Sequence, residues 1–329
     1  MKLDRRGVLA LGVGAAFMPW VSRIGLAAST ASRLRVSVLK FGSLNWLLDT
    51  IFAEGIDKKY GLDLQTVPVA TNSAGPIALI AGNSNVIVSD WPWAMRQRSA
   101  GEMLKFAPYS SALGAVMVAP DSGIKTLADL QGKRLGVAGS PVDKSWILLR
   151  AFSRKTLGKD VAKFATPVYG AAPLVAEEMK SGGVDAVLNF WTFSARLKGN
   201  GFVPVITMDH VFRSLGVEPV PLVGFVWKEK DEIARPETFK AFLAAIAEGN
   251  QVLANSDQAW ERLRKKMRAK NQGEFVALRD YYRSGIPKPW SQEQTQAASQ
   301  LLGLLKELGS RDLAGRNTMF DPNLFYSAT

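Results

Sequence analysis

The segment Val86-Ile87-Val88-Ser89-Asp90-Trp91-Pro92-Trp93 ends an apolar run on a carboxylate and two indoles. A carboxylate among tryptophans suits a cation or a flat ring, through charge pairing, cation–π contact and stacking. Two other places join a strand-like run to a helix-like one through small polar residues. In Phe41-Gly42-Ser43-Leu44-Asn45-Trp46, the glycine admits close backbone approach, and Ser43 or Asn45 is placed to cap a helix. Gly139-Ser140-Pro141 has the same character, with Asn189-Phe190-Trp191 expected to face it. Free N–H groups at such helix starts favour an anion, such as a sulfonate or carboxylate. No arginine stands at any of these places, whereas small oxyanion sites commonly use a guanidinium. The charge of a ligand is therefore open at this level.

The same residues have structural readings. Asp90 is equally a helix cap ahead of Pro92, and Ser140, Pro141 and Asp143 fit an N-cap, first-turn proline and capping-box set. Trp46 and Trp146 lie a turn inside their helices beside other apolar residues, so at least one belongs in a core. Arg96 and Arg196 fall well into their helices and read as solvated. His210 reads as a polar loop residue.

Composition removes whole classes of chemistry. With no cysteine and one histidine, the chain offers no thiolate metal site, no cysteine nucleophile and little acid–base catalysis near neutrality. No cofactor and no metal are expected. The net charge is +12, but its densest cluster, Arg262 to Lys270, circles a helix without interleaved aromatics and reads as a solvated surface. No nucleic-acid partner is expected.

The elements that must position these residues alternate. Leu34–Leu39, Leu62–Val69 and Val86–Ser89 read as strands, and 46–54 and 75–81 as helices, an order that argues for a parallel sheet with crossover helices. The pattern then restarts. At an offset of 100, Trp46 meets Trp146, Trp91 meets Trp191, Gly82 meets Gly182 and Arg96 meets Arg196. A duplicated α/β lobe accounts for that register. From Arg235 the chain is mostly helical, with Pro236 opening one helix and Ser291-x-x-Gln294 another. At the other end, residues 1–28 have a basic start (Lys2, Arg5, Arg6), an apolar centre of 15 residues and small residues at Ala27-Ala28, the layout of an export signal. Arg5-Arg6 fits the twin-arginine route loosely, so that route and the general secretory one both stand. Removal of four bases and one acid with this segment leaves a charge of +9.

Residues 122–152, SGIKTLADLQGKRLGVAGSPVDKSWILLRAF, resemble the second-lobe entry of periplasmic solute-binding proteins that serve ABC importers for sulfonates, nitrate, taurine and thiamine-precursor pyrimidines. MKSGGVDAVLNFW and FVWKEKDEIARPETFKAFLAAI resemble later parts of the same pattern. The resemblance implies the type II periplasmic-binding-protein fold: two α/β lobes, each a mainly parallel sheet flanked by helices, with a helical C-terminal part. It implies an export signal over 1–28, lobe 1 over 29–118, lobe 2 over 119–221, and a return strand with C-terminal helices over 222–329. It further implies a monomer in the periplasm, a small-molecule solute held without chemistry, and permease and ATPase partners. A synthase of the thiamine pyrimidine shares the fold, but its chemistry requires histidines and a cysteine-rich iron site. A two-lobe ligand-sensing regulator would carry a helix-turn-helix where the export signal stands. The solute-contacting set expected is Phe41, Gly42, Ser43, Asn45, Trp46, Ser89, Asp90, Trp91, Trp93, Gly139, Ser140, Asn189 and Trp191.

Overall fold

A computed structural model describes residues 32–307 and 317–326; the expected export segment and its cleavage site lie outside them. The first half runs β1 (Ser32–Leu39), α1 (Leu44–Ala53), α2 (Ile56–Lys59), β2 (Leu62–Val69), α3 (Ala74–Ile80), β3 (Val86–Asp90), α4 (Trp91–Ser99) and β4 (Leu104–Ser110). The second runs β5 (Ala115–Val118), a 3-10 turn (Leu127–Leu130), β6 (Arg134–Ala138), α5 (Lys144–Leu157), α6 (Val161–Phe164) and β7 (Thr166–Gly170). It continues through α7 (Ala172–Lys180), β8 (Ala186–Asn189), α8 (Trp191–Gly199), β9 (Val203–Thr207) and α9 (Met208–Ser214). The chain then returns in β10 (Val223–Lys228) and adds α10 (Glu229–Ala234), α11 (Pro236–Asn255), α12 (Asp257–Met267), α13 (Gln272–Ser284) and α14 (Gln292–Glu307).

Two five-stranded sheets result, ordered β2-β1-β3-β10-β4 and β7-β6-β8-β5-β9. The orders superimpose when β1, β2, β3 and β4 are matched with β6, β7, β8 and β9. In each sheet one further strand, β10 or β5, runs antiparallel between the third and fourth. The offset of 100 is literal at α4 and α8, which start at Trp91 and Trp191 and end at Ser99 and Gly199. One boundary needs correction. Ala115–Val118, expected within lobe 1, pairs with β8 and β9 in the second sheet, so the first crossing falls between Ser110 and Ala115. All four of its residues are buried, so a two-faced apolar strand of this kind carries no pattern that names its sheet.

Most of the helical reading follows from local chemistry. Pro236 opens α11, whose buried face includes Phe239, Phe242 and Ile246. Ser291 and Gln294 exchange side-chain bonds with each other's backbone N–H, the reciprocal capping box that starts α14. The basic run of α12 is paired rather than merely solvated: Arg262 meets Glu54, Lys266 meets Asp49 and Arg264 meets Glu261. His210 is also not in a loop. It lies in α9, which Thr207 caps through the His210 N–H, and its ring meets Phe152 edge-on.

One apolar cluster runs from Trp91 and Phe106 in the first lobe, through Val220 and Leu222, to Trp146 and Phe212 in the second. Another gathers α1, α11, α12 and α13 and takes in Ala195 of α8. The α8–α13 contact is backbone against backbone. A Cβ on Gly199 would stand 2.5 Å from Glu274 N, and one on Gly273 would stand 2.3 Å from Gly199 O. Gly199→Val is therefore expected to destabilise the fold by about 1–3 kcal/mol, the usual cost of overpacking. Urea unfolding should show a lower midpoint at unchanged slope, and a wild-type midpoint would contradict the close contact.

Candidate functional site

In parallel α/β sheets the loops at the carboxyl ends of the strands form the ligand crevice. In the first lobe these loops follow β1 and β3, and in the second they follow β6 and β8.

After β3, Asp90 adopts extended backbone and caps α4, its Oδ1 accepting from Trp93 N at 2.8 Å. Its Oδ2 has a different partner: Lys144 Nζ, at 3.0 Å, in the second lobe. Asp90 is thus both a cap and a charge directed across the interlobe boundary. Lys144 is the first residue of α5, capped by Asp143, whose Oδ1 accepts from Ser145 N and Trp146 N. Burial opposes the charge on Lys144, but Asp90 and Asp143 outweigh it and hold the ammonium above its ordinary pKa. Burial pushes the Asp143 carboxyl up, against the pull of Lys144 and its two backbone donors. The expected capping register is three residues early: Ser140 and Pro141 belong to a turn closed by Asp143 N on Ser140 O, at 2.9 Å. Gly139, at φ +98°, leads the chain from β6 into that turn.

The expected residues divide into those that face the boundary and those that do not. Trp91 is fully buried, edge-on to Phe325, and is withdrawn from the contact set as a core residue. Trp146 is likewise core. Ser43 is buried against Tyr109, Oγ to Oη 2.8 Å, and burial drives the tyrosine pKa up. Asn45 is turned back onto the carbonyls of Leu39 and Gly42. Asn189 is buried, donating to Ala172 O and accepting from Phe190 N. These side chains are committed to holding loops, so their contribution to a site is positional.

Phe41, Gly139 and Ser140 are exposed, whereas Gly42, Ser89, Asp90, Trp93 and Trp191 are half-buried. Phe41 lies under the Arg268 guanidinium, 5.1 Å from ring centroid to Cζ. A guanidinium therefore does reach a strand end, carried there by a residue far away in sequence. Trp191, the positional counterpart of Trp91, packs differently: its ring meets Trp46 edge-on at 6.1 Å and Tyr282 at 6.3 Å, bringing the second lobe onto the aromatic cluster of the first.

A third interlobe contact lies at the far end of α8. Arg196, expected to be solvated, donates to Glu274 and to the carbonyls of Met267 and Arg268, the unpaired end of α12. Asn200 and Lys270 N also donate to Glu274, which is 1% exposed. A groove of about 610 Å³ opens elsewhere on the second lobe, lined by Leu127, Phe152, Ile206 and His210 among others, and includes none of the strand-end residues above. Among the described residues, no group of three His, Asp or Glu is placed to hold a metal ion, and no helix is long and apolar enough to cross a membrane.

Lys144, Tyr109, Tyr282 and Arg268 were not picked out by residue type and spacing. Lys144 had a signal: a cation at the first position of a helix opposes the macrodipole, a local conflict that calls for a nearby carboxylate.

The duplicated lobes meeting through their strand-end loops define a two-lobe binding-protein architecture. The family model described as NMT1/THI5 like matches residues 55–259, and the chain belongs to that family. The fold is similar to that of the alkanesulfonate-binding protein SsuA from Xanthomonas axonopodis pv. citri bound to MOPS. That match has TM-score 0.68 and 16% identity, covering 90% of this chain and 99% of that one. It is similar also to the periplasmic aliphatic sulphonate binding protein SsuA from Escherichia coli (0.69, 18%, 91% and 95%). The periplasmic nitrate-binding protein NrtA from Synechocystis PCC 6803 matches with TM-score 0.62 and 11% identity, over 88% and 84%. No curated protein sequence matches the chain.

Burial opposes the Glu274 carboxylate, but the donors from Lys270, Asn200 and Arg196 outweigh it and hold its pKa below the ordinary 4.5. A depressed folded pKa gives stability that is present above the unfolded value and lost as pH falls through the folded one. Glu274→Gln is therefore expected to flatten the acid limb of stability below about pH 4.5. The check is a set of urea midpoints between neutral and acid pH; parallel curves for variant and wild type would remove Glu274 from that limb.

Proposed function

We propose that this protein is the extracytoplasmic solute-binding component of an ABC importer. It captures a small organic solute between its lobes and delivers it, unchanged, to a permease and ATPase. The observation that carries this reading is the meeting of Asp90 with Lys144 and of Trp46 with Trp191, where strand-end loops of duplicated lobes oppose each other. Those loops supply a charge pair and indole faces, the means to hold a solute carrying an acidic group or a flat ring. The sulfonate and nitrate binders of similar fold support the reading, as do the basic and apolar segments of residues 1–28, which suit export to the periplasm. The protein acts as a monomer. The family name also covers a synthase branch, but a chain with no cysteine and one histidine lacks the means for iron-dependent chemistry of that kind.

The test is a thermal-shift screen of the mature protein against sulfonates, carboxylates, amines, pyrimidines and amino acids. A solute at about a hundred times its Kd stabilises the native state by about 2.7 kcal/mol, which raises the melting temperature measurably. The hit should quench tryptophan fluorescence, and Trp191→Phe should remove much of that quenching while the solute stays chemically intact. Conversion of the hit to a product, or no shift across the whole panel, would sink the reading.

A further inference from the structure

In the first sheet, pairing continues past the edge strand β4. Phe325 bridges Phe106 in parallel register, and Tyr326 N donates to Phe106 O at 2.8 Å. Three kinds of contact hold this covering segment. Its backbone pairs with β4, the Phe325 ring packs on Phe106 and Trp290, and Asp321 meets the Arg98 guanidinium at 2.6 Å. In the second sheet β9 is the matching edge, and Ile206 stands where Phe106 stands at the offset of 100. Among the described residues, no strand or segment pairs with the outer side of β9.

The groove of about 610 Å³ runs along that side. Residues 204–207 line it consecutively, whereas a groove over one face of a sheet would show alternate residues only. Phe152, Leu157 and Ile206 give it apolar walls. No carboxylate lines it, and its lysine, Lys125, has no ion-pair partner among the described residues. The neighbouring Asp129 is turned into its own turn, where Oδ2 accepts from Lys125 N, Thr126 N and Thr126 Oγ1. Pro204 lacks an N–H, and the β5–β9 register shifts beside Val116, so the edge suits a short segment rather than a continuing sheet.

We propose that this edge is a docking site for an extended segment of a partner protein, added beside β9 as a further strand. The segment places a large apolar or aromatic side chain in the groove and a carboxylate toward Lys125. Residues 321–326 bring that same chemistry to the equivalent edge of the first sheet: a backbone that pairs, an aromatic ring and an acid facing a cation. The site is separate from the strand-end loops and owes nothing to a solute.

The test selects random dodecapeptides displayed on phage against the full mature protein, then synthesises the enriched sequences. These are expected to combine an aromatic residue with Asp or Glu and to slow hydrogen–deuterium exchange over residues 203–207. Lys125→Glu, at an exposed position, should weaken their binding on the order of tenfold. Methylating the peptide amides one at a time should abolish binding at alternate residues only, because a strand paired on one side presents every second N–H to its neighbour. Peptides that bind equally well at every methylated position would overturn strand addition. The docking site itself would be overturned by no enrichment over the bare support, by unchanged exchange over residues 203–207, or by undiminished binding to Lys125→Glu.

Discussion

The two oxygens of Asp90 divide their partners, one taking a backbone N–H of its own helix and the other an ammonium of the opposite lobe. That division determines how well the lobes register. A charge on a free side chain contributes little, because the entropy of holding it offsets the attraction. Asp90 loses that freedom once, when α4 forms, and Lys144 loses part of its own by standing at the first position of α5. The lysine's position opposes the helix dipole, which costs about 0.3–1 kcal/mol for an exposed group. Asp143 and Asp90 offset that cost, and the ammonium pKa rises although burial works against it. The lobes are thus aligned by a pair whose geometry is set by helix starts.

The same duplication yields two unlike tryptophans. Trp91 and Trp191 both open helices of identical length after equivalent strands. The first lobe, however, also receives the end of the chain: Phe325 stacks on Trp290 at 4.2 Å and meets Trp91 and Phe106 edge-on. Trp91 is sealed beneath that cluster. Among the described residues nothing equivalent covers the second sheet at that point, and Trp191 keeps a half-buried face and packs against Trp46 and Tyr282. Equivalent positions in a repeat therefore predict backbone, whereas the side chain's neighbours depend on which lobe the later helices cover.

That distinction governs how much was legible in the sequence. The strands over 62–69 and 86–90, the return strand and the capped helices follow from short-range periodicity, proline and capping chemistry, and the structure has them close to the expected residues. The offset of 100 reflects the pairing of the lobes. What escaped depends on contacts between distant residues. Lys144 answers Asp90, although the repeat pairs position 144 with Leu44. Arg268 comes to Phe41 at the end of α12, where Arg196 donates to its carbonyl. Reading Ser140 rather than Asp143 as the cap was a local error, since both residue types cap and only the turn from Ser140 to Asp143 decides between them.

The interlobe contacts differ in what breaking them would entail. At the far end of α8, glycine backbones lie too close to slide past one another, and Glu274 is buried under three donors, of which Arg196 and Asn200 would lose their acceptor on separation. An unpaired buried carboxylate is among the costliest groups a protein can leave behind. At the strand ends the contacts include a largely buried ion pair and edge-on aromatic rings, and water can solvate both groups of the pair once they part. Separation of the lobes must begin where the loss is smaller. On the solute-binding reading, the α8–α13 contact is expected to hold while the strand-end loops that carry Asp90 and Lys144 part first.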